Sequence, residues 1–205
     1  IDEYLTVGVG AKVKGIPSED KLRASLTLDE VKRLADTPCE SDVLRCASFF
    51  SILTGLRHID IKNLKWKQIS QTSNGSWRID ISQIKTKVGA YLPISDQAYA
   101  MCGTRSEDEE LLVFAGLQNA AWISKPLKKW IEAAGIKKHI TFHLSRHSYA
   151  TLQLELGTDI YTIKSMLGHT NVKTTQIYSH IVDSAKEKAA NTIHIDNLQS
   201  QQPII

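Results

Sequence analysis

Between Thr141 and Ser179 the chain admits little other than short helices separated by glycine turns. His143 and Arg146 are three residues apart, so on a helix they share one face. Tyr149, Ala150, Leu152, Leu154 and Leu156 supply that helix with a core side, and Gly157 stops it, because glycine takes the left-handed conformation after a last turn at little cost. Thr158 or Asp159 caps the next helix, whose buried stripe is Ile160, Ile163 and Leu167. Gly168 ends that helix and leaves His169 just beyond it, and Thr170 or Asn171 caps a third helix ending near Tyr178. Three helices with turns this tight are expected to gather His143, Arg146, His169 and Tyr178 around one pocket.

The preceding residues predict a mostly helical α+β domain. Thr27 and Glu30 form a capping-box pattern with Leu26 and Val31 as its staple, so a helix starts at Thr27. A second runs from about Asp42 to Leu53, burying Val43, Cys46, Ala47, Phe50 and Leu53, and ends at Gly55. Arg57 then opens a short helical stretch through Leu64. From Trp66 to Ile94 the pattern changes to a small three-stranded antiparallel sheet. Asn74-Gly75 marks its first hairpin, Trp77, Ile79 and Ile81 alternate on one face, and Pro93 sits near the end of the third strand. Residues 95 to 102 are helical. Arg105 to Glu110 is a charged loop, and Asn119 to Ala134 is a helix interrupted or restarted at Pro126. Residues 183 to 191 form a last amphipathic helix, before a polar tail with an apolar tip.

Several boxes together resemble the tyrosine recombinases, the phage-integrase-like site-specific recombinases. His143-Leu-Ser-Arg146 matches their H-x-x-R box, Leu167-Gly168-His169 their L-G-H turn, and Thr54-Gly55-Leu56-Arg57 their first arginine box; Tyr178 lies nine residues past His169, where the family carries its nucleophile. The resemblance covers roughly residues 20 to 190. It implies a catalytic domain at 21–190, a tail at 191–205, and a linker at 1–20 that follows a separate DNA-binding domain absent from this chain. A first residue of Ile rather than Met fits a fragment. It also implies a mobile catalytic lysine on the second hairpin, where Lys85 matches best and Lys87 is the alternative.

These residue types suit the chemistry. Two guanidinium groups, Arg57 and Arg146, would neutralise a phosphodiester with forked hydrogen bonds, and His169 would add a donor. The phenol of Tyr178, with an ordinary pKa of about 10, needs a base such as His143 or a positive pocket. Lys85 would protonate the departing 5′ oxygen. The product, a 3′-phosphotyrosine, stores the energy of the broken bond, so rejoining requires neither ATP nor metal. The partners implied are double-stranded DNA attachment sites, a homo-tetramer on DNA with this fragment monomeric alone, and accessory DNA-bending proteins as candidates. The function implied is integration and excision of a bacterial mobile element.

Rival readings are a type IB topoisomerase, a DNA-binding module without catalysis, and a metallohydrolase built on His143, His147 and His169. Leu-Ser-Arg between the first two histidines leaves out the glutamate of the H-E-x-x-H pattern, and Arg146 would set a fixed cation beside the metal. The three cysteines, Cys39, Cys46 and Cys102, fit neither a disulfide framework nor a zinc spacing and suggest a reducing cytoplasm. A net charge of +3 permits nucleic-acid binding without demanding it, so the lysines at 125, 128 and 129 read equally as DNA contacts or as a solvated face. No run of eighteen apolar residues suggests a membrane span.

Overall fold

The computed structural model describes residues 24–80 and 91–168. Its first helix, α1 (Leu28–Asp36), begins as the capping box predicts. The Thr27 hydroxyl accepts from the Glu30 amide at 3.2 Å, and the Glu30 carboxylate accepts from the Thr27 amide at 2.8 Å. Together they satisfy two amides that a helix start otherwise leaves unpaired.

Helix α2 (Asp42–Thr54) is the centre of the packing. Beyond the expected stripe it buries Leu44, Ser48, Phe49, Ser51 and Ile52, while Val43, Cys46 and Leu53 are only half-buried. A helix enclosed nearly all round has no single apolar face, and a stripe-based reading undercounts what it hides. Phe50 is fully buried against Phe114, ring centroids 5.0 Å apart, and burying such a side chain contributes about 1.5–3 kcal/mol. Gly55 ends α2 at φ +71° and leads into Arg57, the N-cap of α3 (His58–Lys62).

The sheet starts later than the sequence suggests. Trp66–Gln68 is a 3-10 turn, followed by β1 (Ile69–Gln71). The Trp66 and Lys67 amides donate to the carbonyls of Leu111 and Glu109, so this backbone is bonded to the charged loop rather than to a strand. That loop is tied down as well: Arg105 donates to the Ile69 carbonyl at 3.0 Å, and Glu110 pairs with Lys65 and Lys67. β2 (Trp77–Asp80) pairs antiparallel with both β1 and β3 (Tyr91–Ile94) in the order β1-β2-β3. Pro93 is accommodated because β3 is an edge strand. In the first hairpin the Gly75 amide closes a turn on the Thr72 carbonyl, with Gly75 at φ +84° supplying the left-handed residue. The Trp77 ring stacks on Tyr99 at 3.6 Å and joins the sheet to α4 (Asp96–Ala100).

Helix α5 (Ala120–Ala133) runs without a break through Pro126, contrary to the expected interruption. Proline removes one bond, to the Trp122 carbonyl; Trp122 is 75% exposed, so water can serve that oxygen. Two turns after Trp122, Trp130 fixes α5 to the core, its indole donating to the Thr37 carbonyl at 2.9 Å. Helix α6 (Phe142–Glu155) packs along α2, and α7 (Ile160–Met166) folds back on its end after Gly157 at φ +95°. Asp159 caps α7 by accepting from the amides of Tyr161 and Thr162. Leu156, expected in the core, is 72% exposed: α7 closes instead on Leu154, Tyr149 and Ala150 through Ile163 and Leu167. Among the described residues no helix is long and apolar enough to cross a membrane. The fold is thus mostly helical with one small antiparallel sheet, as the sequence suggests.

Candidate active site

Of the residues singled out from the sequence, Arg57, His143 and Arg146 belong to the described part of the chain. Lys85, Lys87, His169 and Tyr178 lie outside the described residues, as do the expected helices at 170–178 and 183–191.

Arg146 sits in the first half of α6 and is only 5% exposed. Burying a guanidinium is costly unless its donors are satisfied. Here one terminal nitrogen donates to the Gly55 carbonyl at 2.7 Å and the other to the Leu167 carbonyl at 2.5 Å. Gly55 lies two residues before Arg57, and Leu167 two residues before His169. A single planar fork therefore grips the backbone just upstream of two other candidate residues. Only arginine offers two parallel donors at that separation.

The Gly55 turn must be glycine for two reasons. Its φ of +71° disfavours any side chain, and a Cβ there would stand 2.6 Å from Tyr149 Cδ1 and 2.8 Å from Leu167 Cδ2. Tyr149, one helical turn after Arg146, thus packs directly on the turn and donates its hydroxyl to the Met166 sulfur at 3.1 Å. Burial pushes its phenol up to about 12, against the pull of the Arg146 charge. Tyr149 is accordingly neutral throughout the physiological range.

Arg57 and His143 face outward together. Both line a cleft of about 700 Å³ along with Lys125, Lys128 and His139. The cleft is formed by the start of α3, one face of α5, the loop at residues 139–141 and the start of α6. Arg57 is exposed and stands 4.0 Å from Asp60. At half exposure such an ion pair steadies the side chain more than it stabilises the fold. The His143 ring meets His147 edge-on at 4.9 Å; His147 itself is buried. Lys128 pairs with Glu132 at 3.6 Å, and Lys129 points elsewhere, to Glu40. The lysine run therefore splits: Lys125 and Lys128 turn to the cleft, and Lys129 ties α5 to the α1–α2 connection.

Two cleft residues had no role in the sequence reading. His139 belongs to no motif, since it precedes the H-x-x-R box by a loop. His58 stood next to a matched position, and its surroundings are made by residues sixty or more positions away. Among the described residues no group of three or more His, Cys, Asp or Glu is placed to hold a metal. An open, basic cleft with an arginine on one wall and a histidine on another suits a polyanion whose phosphate lies exposed along a chain.

Comparisons with known proteins agree with this arrangement. The model of the phage integrase family matches residues 24–185. A tyrosine recombinase of Thermosipho africanus is 30% identical over 180 residues, covering 84% of this chain and 62% of that protein. The chain therefore spans less than two thirds of that relative's length. Among solved structures, the XerH site-specific recombinase in a post-cleavage complex with its difH substrate matches with a TM-score of 0.64, at 22% identity, over 84% of this chain and 54% of that one. The catalytic domain of bacteriophage HP1 integrase matches with a TM-score of 0.60, at 23% identity, over 86% of this chain and 98% of that domain. At such identities the two structures speak for the fold, and the family model, matching most of the sequence, settles the kinship: this chain belongs to the phage integrase family.

Proposed function

We propose that this chain is the catalytic domain of a site-specific DNA recombinase that cuts and rejoins strands through a 3′-phosphotyrosine. The reading rests above all on one observation: the Arg146 fork joins the backbone leading to Arg57 with the backbone leading to His169. The turn before Arg57 and the end of α7, remote from each other in sequence, are thereby tied to one buried guanidinium.

In this reaction the Tyr178 oxygen attacks the backbone phosphorus and its proton passes to His143. The bond from phosphorus to the 5′ oxygen breaks, and Lys85 gives that oxygen its proton. Arg57, Arg146 and His169 hold the non-bridging oxygens and stabilise the charge that builds in the transition state. Rejoining reverses the steps: a 5′ hydroxyl attacks the phosphotyrosine and the phenol is restored. Bond energy is conserved in the protein–DNA ester, so the residues named suffice without a nucleotide cofactor. Exchange of two duplexes calls for four protomers on two sites, and the kinship with integrases supports a mobile element's integration and excision as the setting.

The deciding experiment is incubation with a library of candidate attachment sites, followed by mapping of DNA 3′ ends that carry the protein. Recovery of one defined cleavage position is expected. Protein-linked ends at random positions would favour the topoisomerase reading, and no such ends while binding persists would favour a DNA-binding module.

A further inference from the structure

His58 makes two contacts that no motif explains. As the first residue of α3 it follows Arg57 directly. Its Nε2 lies 3.0 Å from the Gln118 carbonyl, and since a carbonyl only accepts, that nitrogen carries the proton and donates. Its ring meets Phe142, the first residue of α6, edge-on with centroids 5.0 Å apart. One turn along α3, Lys62 donates to the side-chain oxygen of Asn119, the N-cap of α5. Helix α3 is therefore stitched to the start of α5 at two places, and through the His58 ring to the start of α6.

Those are the elements that form the cleft. Arg57 hangs from the N-terminus of α3 and His143 from the first turn of α6, and the His58 ring, next in sequence to Arg57, packs on Phe142, next in sequence to His143. α3 has only five residues, too few to hold its own axis by internal hydrogen bonds. Its orientation must come from outside contacts: Ile61 in the core, and His58 with Lys62 at the rim. Burial lowers the His58 pKa, against the opposing pull of the Gln118 carbonyl, so the ring is neutral at physiological pH and adds no charge to a site that already holds Arg57.

We infer that His58 is a positioning residue: its bond to Gln118 and its contact with Phe142 fix Arg57 at a set distance from His143 across the cleft. This rests on the recombinase reading of that cleft. A displacement of about 1 Å at a reacting centre costs up to roughly 10²-fold in rate, so losing the brace is expected to slow strand cleavage at least about 10-fold.

The test uses the full chain and a nicked duplex carrying its mapped attachment site. Covalent-adduct formation is followed in a single turnover at saturating DNA, with affinity measured separately. His58→Phe keeps a ring against Phe142 but has no donor; it should lose rate at least about 10-fold with Kd changed less than about 3-fold. His58→Gln restores a donor and should recover most of the rate. In an Arg57→Lys background His58→Phe should cost less than about 2-fold, because a residue acting through Arg57 has nothing further to lose there. Equal rates for wild type and His58→Phe would overturn the inference alone. So would a loss that appears only in Kd, a His58→Gln rate no better than that of His58→Phe, or an undiminished loss in the Arg57→Lys background. A wild-type chain that forms no adduct at all would overturn the recombinase reading, and this inference with it.

Discussion

Replacing Gly55 by alanine tests the packing that joins the two arginines. Two costs can be worked out separately. Holding a residue with a Cβ at φ +71° costs about 1–2 kcal/mol. The new methyl would also lie 2.6 Å from Tyr149 Cδ1 and 2.8 Å from Leu167 Cδ2, inside the distance carbon atoms tolerate. Tyr149 is buried and cannot swing aside, so an overpacking cost of about 1–3 kcal/mol is added. The sum is about 2–5 kcal/mol, or a drop in Tm of about 4–20 °C for a domain of this size. Gly103 is the internal control. It has φ +75° with nothing within 4 Å of its would-be Cβ, so Gly103→Ala bears the backbone cost alone. Urea unfolding followed by far-ultraviolet circular dichroism, with tryptophan fluorescence as a second probe, gives both values. Gly55→Ala should be the less stable by about 1–3 kcal/mol. If the two variants agree within about 0.5 kcal/mol, Tyr149 does not press on the turn and the account of the Arg146 anchor is wrong.

Two further outcomes follow from the site. Arg146→Lys keeps the charge but cannot span the Gly55 and Leu167 carbonyls, so it should lose both stability and at least about 10²-fold in adduct formation. Loss of activity at unchanged stability, read from unfolding curves beside the adduct assay, would mean those carbonyl bonds hold nothing in place. Lys85→Ala and Lys87→Ala should separate on a substrate whose leaving group is a 5′ thiol, because a thiolate departs without a proton. The variant that the thiol rescues marks the acid, with Lys85 expected; rescue of Lys87→Ala would transfer that role.

How much of this was legible before the structure depends on how local each cause is. The Thr27–Glu30 box, the stops at Gly55, Gly157 and Gly168, and the Asp159 cap are decided within four or five residues, and each stands where the sequence puts it. Trp66 forms a 3-10 turn because Glu109 and Leu111, some forty residues on, take up the local amides. Leu156 is apolar and in phase with Leu152, yet it is left outside because α7 closes on Leu154, Tyr149 and Ala150 instead. Pro126 disturbs α5 less than its reputation suggests, since Trp130 and Ile123 anchor the helix on either side of it. At the site, the motif spacing pointed to Arg57, His143 and Arg146 as a group. It could not show that Arg146 is buried with its donors on two main-chain carbonyls, because carbonyls carry no sequence signature. Nor could it show the bond from His58 to a Gln118 carbonyl sixty residues away.

The central claim is that a phenol on this chain becomes joined to a DNA 3′ phosphate. The direct measurement is the SDS-resistant protein–DNA complex formed on a nicked suicide duplex by the wild-type chain and by Tyr178→Phe, with DNA affinity determined for both. The account predicts a complex with the wild type and none with Tyr178→Phe, at equal affinity. A complex that survives the substitution would assign the nucleophile to another residue and contradict the account.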